Sequence, residues 1–260
     1  MKKYFCASDI HSFYDEWVLA LEEAGFDLKN PEHIIIVCGD LFDRGSQSQE
    51  CYQFVKSMID TNRCVYVRGN HEDLLFDCVK EIKSSHVGYH HNSNGTMKTL
   101  SDFMNCSEYD LLCGCYETTK FNRVTKELED FIDNNCVDYF DLGNKVFVHG
   151  WIPSYQHIED YHDATCADWE KARWENGFEM WRNKKCRPEN KTVVIGHWHC
   201  SYGWSHIDMM YKEFPQRNHP DFNKSFKPWI RDGIIAIDSC TAYTEKVNVI
   251  VFDEEGNLVG

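Results

Sequence analysis

The chain has 260 residues, enough for one large α/β domain or for a domain with a sizeable insertion. Its formal net charge of -15, from 27 Lys+Arg against 42 Asp+Glu, argues against a nucleic-acid backbone as main partner, because phosphate binding needs a positive face. No apolar run approaches the ~18 residues of a membrane span, so no membrane partner is expected.

In chain order, residues 2–8 read as a strand and 13–24 as a helix with Trp17, Leu21 and Ala24 on one apolar face. His33-Ile34-Ile35-Ile36-Val37-Cys38 is a near-continuous apolar run, the pattern of a strand covered on both faces. A helix follows at about 47–60, with Cys51, Phe54, Val55, Met58 and Ile59 at helical spacing. Cys64-Val65-Tyr66-Val67 reads as another strand and 72–83 as another helix. This alternation predicts βαβ units with parallel strands.

The stretch 84–142 breaks that rhythm. His86 to Gly95 is polar and rich in Gly and Asn, hence loop, and 96–105 and 123–134 read as short helices. The whole stretch is expected to be a helical insertion or cap beside the active-site edge. Lys145-Val146-Phe147-Val148 and Thr192-Val193-Val194-Ile195 resume the sheet, with a charged, Trp-bearing helical segment at 155–190 between them. Residues 201–232 hold Trp204, His206, His219, Trp229 and three prolines and read as an irregular surface loop. Gly233 to Asp238 and Lys246 to Phe252 read as two antiparallel strands. There is no internal repeat, and residues 1–260 are expected to form a single domain.

The 13 cysteines are an odd number in a chain too large to need a disulfide framework. Several sit inside apolar runs (Cys6, Cys38, Cys64) and read as reduced thiols packed as small hydrophobes in a cytoplasmic protein. Cys113-Gly114-Cys115 lacks the spacing of a zinc knuckle, and no second pair follows.

Chemistry concentrates in five polar motifs: Asp9-Ile10-His11, Gly39-Asp40-Leu41-Phe42-Asp43-Arg44-Gly45, Gly69-Asn70-His71-Glu72, His149-Gly150, and Gly196-His197-Trp198-His199. Most lie just past an apolar run, on loops at one sheet edge, where α/β proteins gather their functional groups. Carboxylate, carboxamide and imidazole are the donors that bind two divalent ions bridged by a carboxylate. Asp9 and His11, two apart on an extended strand end, can point the same way and chelate one ion. Asp40 can bridge two ions, Asn70 supplies a neutral oxygen, and His149, His197 and His199 complete the shells. The acidic chain can still take a phosphate ester, since two bound cations reverse the local potential.

In order and content these motifs resemble the calcineurin-like metallophosphoesterase superfamily, and within it the phosphoprotein phosphatase branch. The resemblance spans residues 9 to 199 plus the closing strands. It implies a four-layer α/β/β/α sandwich, two mixed sheets packed face to face with helices outside. By the family pattern, Asp9, His11, Asp40 and His199 hold the first ion, and Asp40, Asn70, His149 and His197 the second. Mixed O/N ligands without thiolate suit Mn²⁺, the first choice, or Fe or Zn²⁺. Two such ions would share a water, lower its pKa and direct it in line at phosphorus. Arg44 and Arg68 match the phosphate-binding arginines of the branch, and Arg173, with Arg182 as the competitor, lies at a suitable separation from His149 for a third, although on a helix its charge reads first as solvated. His71, beside Asn70, is placed to protonate the leaving alkoxide, with Asp43 orienting its ring. Glu72 reads equally well as an acidic residue favoured by a helix N-terminus.

The sequence departs from the branch at Ser12, which stands where a glycine is usual, at His149-Gly150-Trp151-Ile152-Pro153, one residue compressed, and at Asp238-Ser239-Cys240, for a usual Asp-Thr-Gly. The resemblance implies a serine/threonine protein phosphatase, the first reading, with a symmetrical dinucleoside polyphosphate (Ap4A) hydrolase as the alternative. In the second, some of Trp151, Trp169, Trp174, Trp181, Trp198 and Trp204 would stack adenine, although Trp198, between two ligand histidines, reads better as a wall of the site than as a base platform. A phosphodiesterase and a non-catalytic binding protein on the same fold are lesser readings. The expected partner is a phosphorylated protein or a small phosphate ester or nucleotide.

Overall fold

In the computed structural model, residues 1–155, 158–210 and 222–259 are described. The N-terminal half alternates strand and helix: β1 (Lys3–Ala7), α1 (Tyr14–Glu23), β2 (His33–Cys38), α2 (Ser48–Asp60), β3 (Cys64–Val67) and α3 (Asn70–Ser84). Four helices follow, α4 (Tyr89–Asn94), α5 (Thr96–Met104), α6 (Glu108–Leu112) and α7 (Thr118–Asn135), and then strands β4 (Cys136–Val137), β5 (Phe140–Leu142) and β6 (Lys145–Phe147). The C-terminal half adds α8 (Cys166–Ala172), α9 (Gly177–Arg182), β7 (Thr192–Ile195), β8 (Trp229–Arg231), β9 (Ile234–Ala236) and β10 (Ile250–Phe252).

The strands form two five-stranded mixed sheets, ordered β10-β1-β2-β3-β4 and β5-β6-β7-β9-β8. In the first, β1 to β4 run parallel and β10 is antiparallel to β1. In the second, β6, β7 and β9 run parallel, and β5 and β8 are antiparallel edges.

Side-chain alternation along each strand builds three core layers. Ile36 and Cys38 of β2 meet Phe147, Val194 and Ile235 between the sheets, while Ile35 and Val37 point the other way, into a cluster with Trp17, Val55, Leu75, Leu100 and Phe131 of the covering helices. On the second sheet, Val146, Val193 and Ile195 face Trp169 and Phe178 of α8 and α9. The result is the expected α/β/β/α layering, and β2, buried at every position, is why its sequence is an unbroken apolar run.

Several expectations are corrected. Ile234–Ala236 and Ile250–Phe252 are strands, but they lie in different sheets and do not pair with each other. The helical stretch after β3 ends at Asn135, because Cys136–Val137 and Phe140–Leu142 are edge strands of the two sheets. Tyr89–Asn94, read as loop, is a short helix closed by Gly95 in the left-handed region. Of the loop expected at 201–232, residues 211–221 lie outside the described residues, and Trp229–Arg231 is a strand. All thirteen cysteines are free. Among the described residues, no helix is long and apolar enough to cross a membrane.

Candidate metal centre

Parallel strands end at one edge, so the loops after β1, β2, β3, β6, β7 and β9 converge there. The backbone turns sharply as it leaves the sheets. Asp9, His11, Ser12, Asp40, Asp43, Arg44 and His197 all adopt positive φ, between 51° and 77°. Each such non-glycine residue costs about 1–3 kcal/mol and persists only where its surroundings over-determine it. Asp9 and His11 thus sit in a tight left-handed loop and not on the extended strand end expected for them, because β1 stops at Ala7. Ser12 takes the left-handed conformation that glycine adopts most easily, and its hydroxyl pairs with that of Ser48 at 2.9 Å. Gly39 is one of the positions where the loops leave no room: a Cβ there would stand 2.5 Å from His149 Nδ1 and 2.6 Å from Gly69 Cα.

Asp40 lies at the centre and is buried. Its Oδ2 faces His11 Nε2 and His71 Nε2, each at 3.8 Å, and its Oδ1 faces His149 Nε2 at 3.3 Å. Asn70 Oδ1 lies 2.8 Å from His149 Nε2, Asp9 Oδ1 lies 4.0 Å from His11 Nε2, and the His149 and His197 rings are 5.0 Å apart. Donor atoms of Asp40, His149 and His197 fall within 4.8 Å of one another, as do those of His11, Asp40 and His71. The two oxygens of one carboxylate therefore look toward two different imidazole groups. His199 sits on the same loop as His197, with Ser201 Oγ 3.3 Å from its Nδ1 and the Asp238 carboxylate as an electrostatic neighbour.

The donor set fits divalent cations on the structure's own geometry. His11 Nδ1 lies 2.9 Å from the Phe42 carbonyl and His149 Nδ1 2.8 Å from the Cys38 carbonyl, so each Nδ1 carries the proton and donates. Each Nε2 then faces the Asp40 carboxylate, and either a proton on the ring or a cation must lie between the two. Burial raises the Asp9 carboxyl well above its usual range, and Asp238 and Asp40 raise it further. Burial opposes ionisation of Asp40 too, yet His149 and His71 hold it well below the usual range. Burial pulls His149 down, but Asp40 lifts it to about 10; burial, with His149 close by, drops His197 to about 3.

His71 Nδ1 lies 2.7 Å from Asp43 Oδ2, and its Nε2 lies 3.3 Å from Arg44 Nη2. Burial lowers the His71 imidazole, but Asp40 and Asp43 outweigh it and the ring is raised overall. Two residues that the sequence did not single out complete this pair. Thr96 Oγ1 donates to Asp43 Oδ2 at 2.9 Å and Thr99 Oγ1 to Asp43 Oδ1 at 2.7 Å, both from α5. Glu72, which the sequence left open between a helix-start carboxylate and a functional group, is a third. Fully buried, it accepts the backbone N–H groups of Asp40, Leu41 and Gly69 and the Tyr66 hydroxyl. Its position three residues after Gly69 was the available signal, since it also closes the helix N-terminus. Asp238 is a fourth, buried with Asp9 and Arg44 among its electrostatic neighbours.

The three arginines are placed differently. Arg44 is exposed beside His71. Arg68 donates to Asp73 and Asp133, and Arg173 to Asp73 and Asp138, so one carboxylate bridges the two guanidinium groups. Arg173 is not the solvated helix charge its sequence context suggests; it is buried at the end of α8 with Nε left without a hydrogen bond. Both line a cleft of about 610 Å³ with Asp138, Tyr139 and Cys166.

Residues 2–225 match the calcineurin-like phosphoesterase family. The chain belongs to that family. The family is one of dinuclear-metal hydrolases of phosphoric esters. Among curated relatives, the asymmetrical bis(5'-nucleosyl)-tetraphosphatase PrpE of Bacillus subtilis is 32% identical over 105 residues, 38% of this chain and 42% of the relative. The symmetrical bis(5'-nucleosyl)-tetraphosphatase of Glaesserella parasuis is 35% identical over 80 residues, 31% of this chain and 28% of the relative. The chain thus spans less than half the length of these relatives. A cold-active protein-tyrosine phosphatase of a psychrophilic Shewanella shares the fold, with a TM-score of 0.50 over 98% of this chain and 76% of that chain at 14% identity.

Proposed function

We propose that this calcineurin-like phosphoesterase hydrolyses dinucleoside polyphosphates at a two-ion centre built on Asp40, within one metallophosphoesterase domain whose helices α4 to α7 form an insertion. Asp9, His11, Asp40, Asn70, His149, His197 and His199 would hold the ions, with Mn²⁺ as first choice. When bound, such ions supply Lewis acidity and an activated water.

The chain's own residues do the rest. Arg44 grips the phosphoryl oxygens of the scissile group, beside His71. His71 holds a proton at Nε2 for the leaving oxygen, while Asp43, fixed by Thr96 and Thr99, sets the ring's orientation through Nδ1. Arg68 and Arg173, in the cleft beside β4, take the distal phosphates in exchange for their hold on Asp73.

The observation that carries the dinucleotide reading is a pair of open indoles. Trp174 and Trp198 are 48% and 37% exposed, and both rings lie within 6.5 Å of the His197 ring, centroid to centroid. Base stacking on such a face is sequence-tolerant and worth roughly 1–3 kcal/mol per base. Trp151 and Trp169 are core, and Trp181 and Trp204 donate to the carbonyls of Asp232 and Lys227. The tetraphosphatase relatives support the same reading over the serine/threonine phosphatase that the motifs first suggest.

The test is a side-by-side rate measurement of the Mn²⁺-loaded protein on Ap4A, a phosphothreonine peptide and p-nitrophenyl phosphate. Preferential Ap4A cleavage, with KM raised by Trp174→Ala and Trp198→Ala, supports the proposal. ADP alone as product marks symmetrical cleavage, and ATP with AMP asymmetrical cleavage. Fast peptide turnover with little Ap4A cleavage overturns the proposal in favour of a protein phosphatase.

A further inference from the structure

Away from the Asp40 cluster, α3 and α4 bring together a second set of ligating side chains: Glu81, His90 and His91. One donor atom from each falls within 4.8 Å of the others. His91 is completely buried, and neither of its ring nitrogens makes a hydrogen bond, although Nε2 lies 3.1 Å from Glu81 Oε2. A buried imidazole in this state is costly, and a cation shared with the Glu81 carboxylate would satisfy it. The His90 and His91 ring centroids are 4.0 Å apart. The rings are tilted by 41°, and Gly88 leaves room for them, since a Cβ there would stand 2.6 Å from the His90 ring. Gly88 N–H donates to Glu81 Oε2 at 2.7 Å, which pins the carboxylate toward the histidines.

We propose that Glu81, His90 and His91 form a structural site for a borderline divalent transition metal, Zn²⁺ first, distinct from the catalytic centre. Two imidazoles and one carboxylate are a recurrent zinc donor set. The 3.1 Å between Glu81 Oε2 and His91 Nε2 suits one edge of a tetrahedron whose bonds are about 2.0–2.1 Å. The exposed side of His90 leaves the fourth position to water. The site ties α4 to the last turns of α3. Through Gly95, α4 leads directly into α5, whose Thr96 and Thr99 grip Asp43. Metal here would therefore order the segment that positions the Asp43–His71 pair.

The experiment uses the full chain, kept in excess Mn²⁺, with Zn²⁺ as the probe. Bound zinc is counted after gel filtration, and Tm is followed against added Zn²⁺, in the wild type and in His90→Ala and Glu81→Gln. Both variants alter side chains at or near the surface and leave the buried His91 in place. The expected result is one more zinc per wild-type chain than per variant chain, and a Tm rise of several degrees at micromolar Zn²⁺ that both variants lose. Equal zinc content and equal Tm response in all three proteins would overturn the site, as would binding only at millimolar Zn²⁺.

Discussion

The Glu72 carboxylate accepts the backbone N–H of Asp40 at 3.0 Å and so holds in place a residue whose φ of 56° is strained. The same carboxylate accepts the Gly69 N–H at 2.7 Å, just before the first turn of α3, which carries Asn70 and His71. One buried anion thus sets the spacing between the β2 and β3 loops. Hydrogen bonds to a charged group contribute about 1.5–3 kcal/mol each, enough to offset the left-handed backbone at Asp40. Glu72→Gln keeps the shape but turns an amide NH₂ toward donors. It is expected to lower stability by about 3 kcal/mol, read as a lower denaturant midpoint, and to weaken Mn²⁺ binding. An unchanged midpoint would show that the two loops hold themselves.

The grip of α5 on Asp43 is testable apart from the metal ligands. Thr99→Val preserves volume but removes the donor to Asp43 Oδ1 and the acceptor for Asp43 N–H. The expected outcome is a roughly tenfold to hundredfold fall in kcat with bound Mn²⁺ unchanged, since groups supporting a catalytic pair typically matter by that factor. Loss of metal along with activity would place Thr99 in the scaffold of the centre itself.

His71→Asn should separate substrates by leaving group. A positioned acid contributes roughly 10²- to 10⁴-fold where the leaving oxygen needs a proton. The variant is therefore expected to lose far more kcat on a phosphoserine peptide than on p-nitrophenyl phosphate, whose phenolate leaves without help. A uniform loss on both would assign His71 to positioning and not to proton transfer.

Between the sheets, Ile36 is fully buried against the facing strands. Ile36→Ala should cost about 2–5 kcal/mol in urea unfolding, with metal stoichiometry retained in the folded fraction. A cost below about 1 kcal/mol would mean the inter-sheet layer collapses readily around the gap.

Much of this architecture is legible in the chain because its cause is local. The run His33–Cys38 announces a doubly covered strand, and the polar motifs announce loops at strand ends. What stays hidden is non-local. β4 and β5 have two and three residues and no apolar run of their own, so they read as part of the helical stretch before them. β9 and β10 look like hairpin partners because they are neighbours in sequence, yet β9 lies between β7 and β8 in one sheet and β10 beside β1 in the other. Thr96 and Thr99 are ordinary helix residues until α5 folds onto Asp43, more than fifty positions away. Glu72 reads as a helix-start carboxylate and is one, but the same group also holds the β2 loop. The opposed pull on Arg68 and Arg173, joined through Asp73, has no sequence signal at all.

The most direct test of a centre bridged by Asp40 is electron paramagnetic resonance of the Mn²⁺-loaded protein. Two Mn²⁺ ions sharing a carboxylate and about 3.5–4 Å apart are spin-coupled, and an ion bound elsewhere on the chain does not mimic that signal. The coupled spectrum is expected in the wild type, and its loss, together with turnover, in Asp40→Asn. Only isolated six-line Mn²⁺ signals in the wild type, or a coupled pair and full activity in Asp40→Asn, would contradict it.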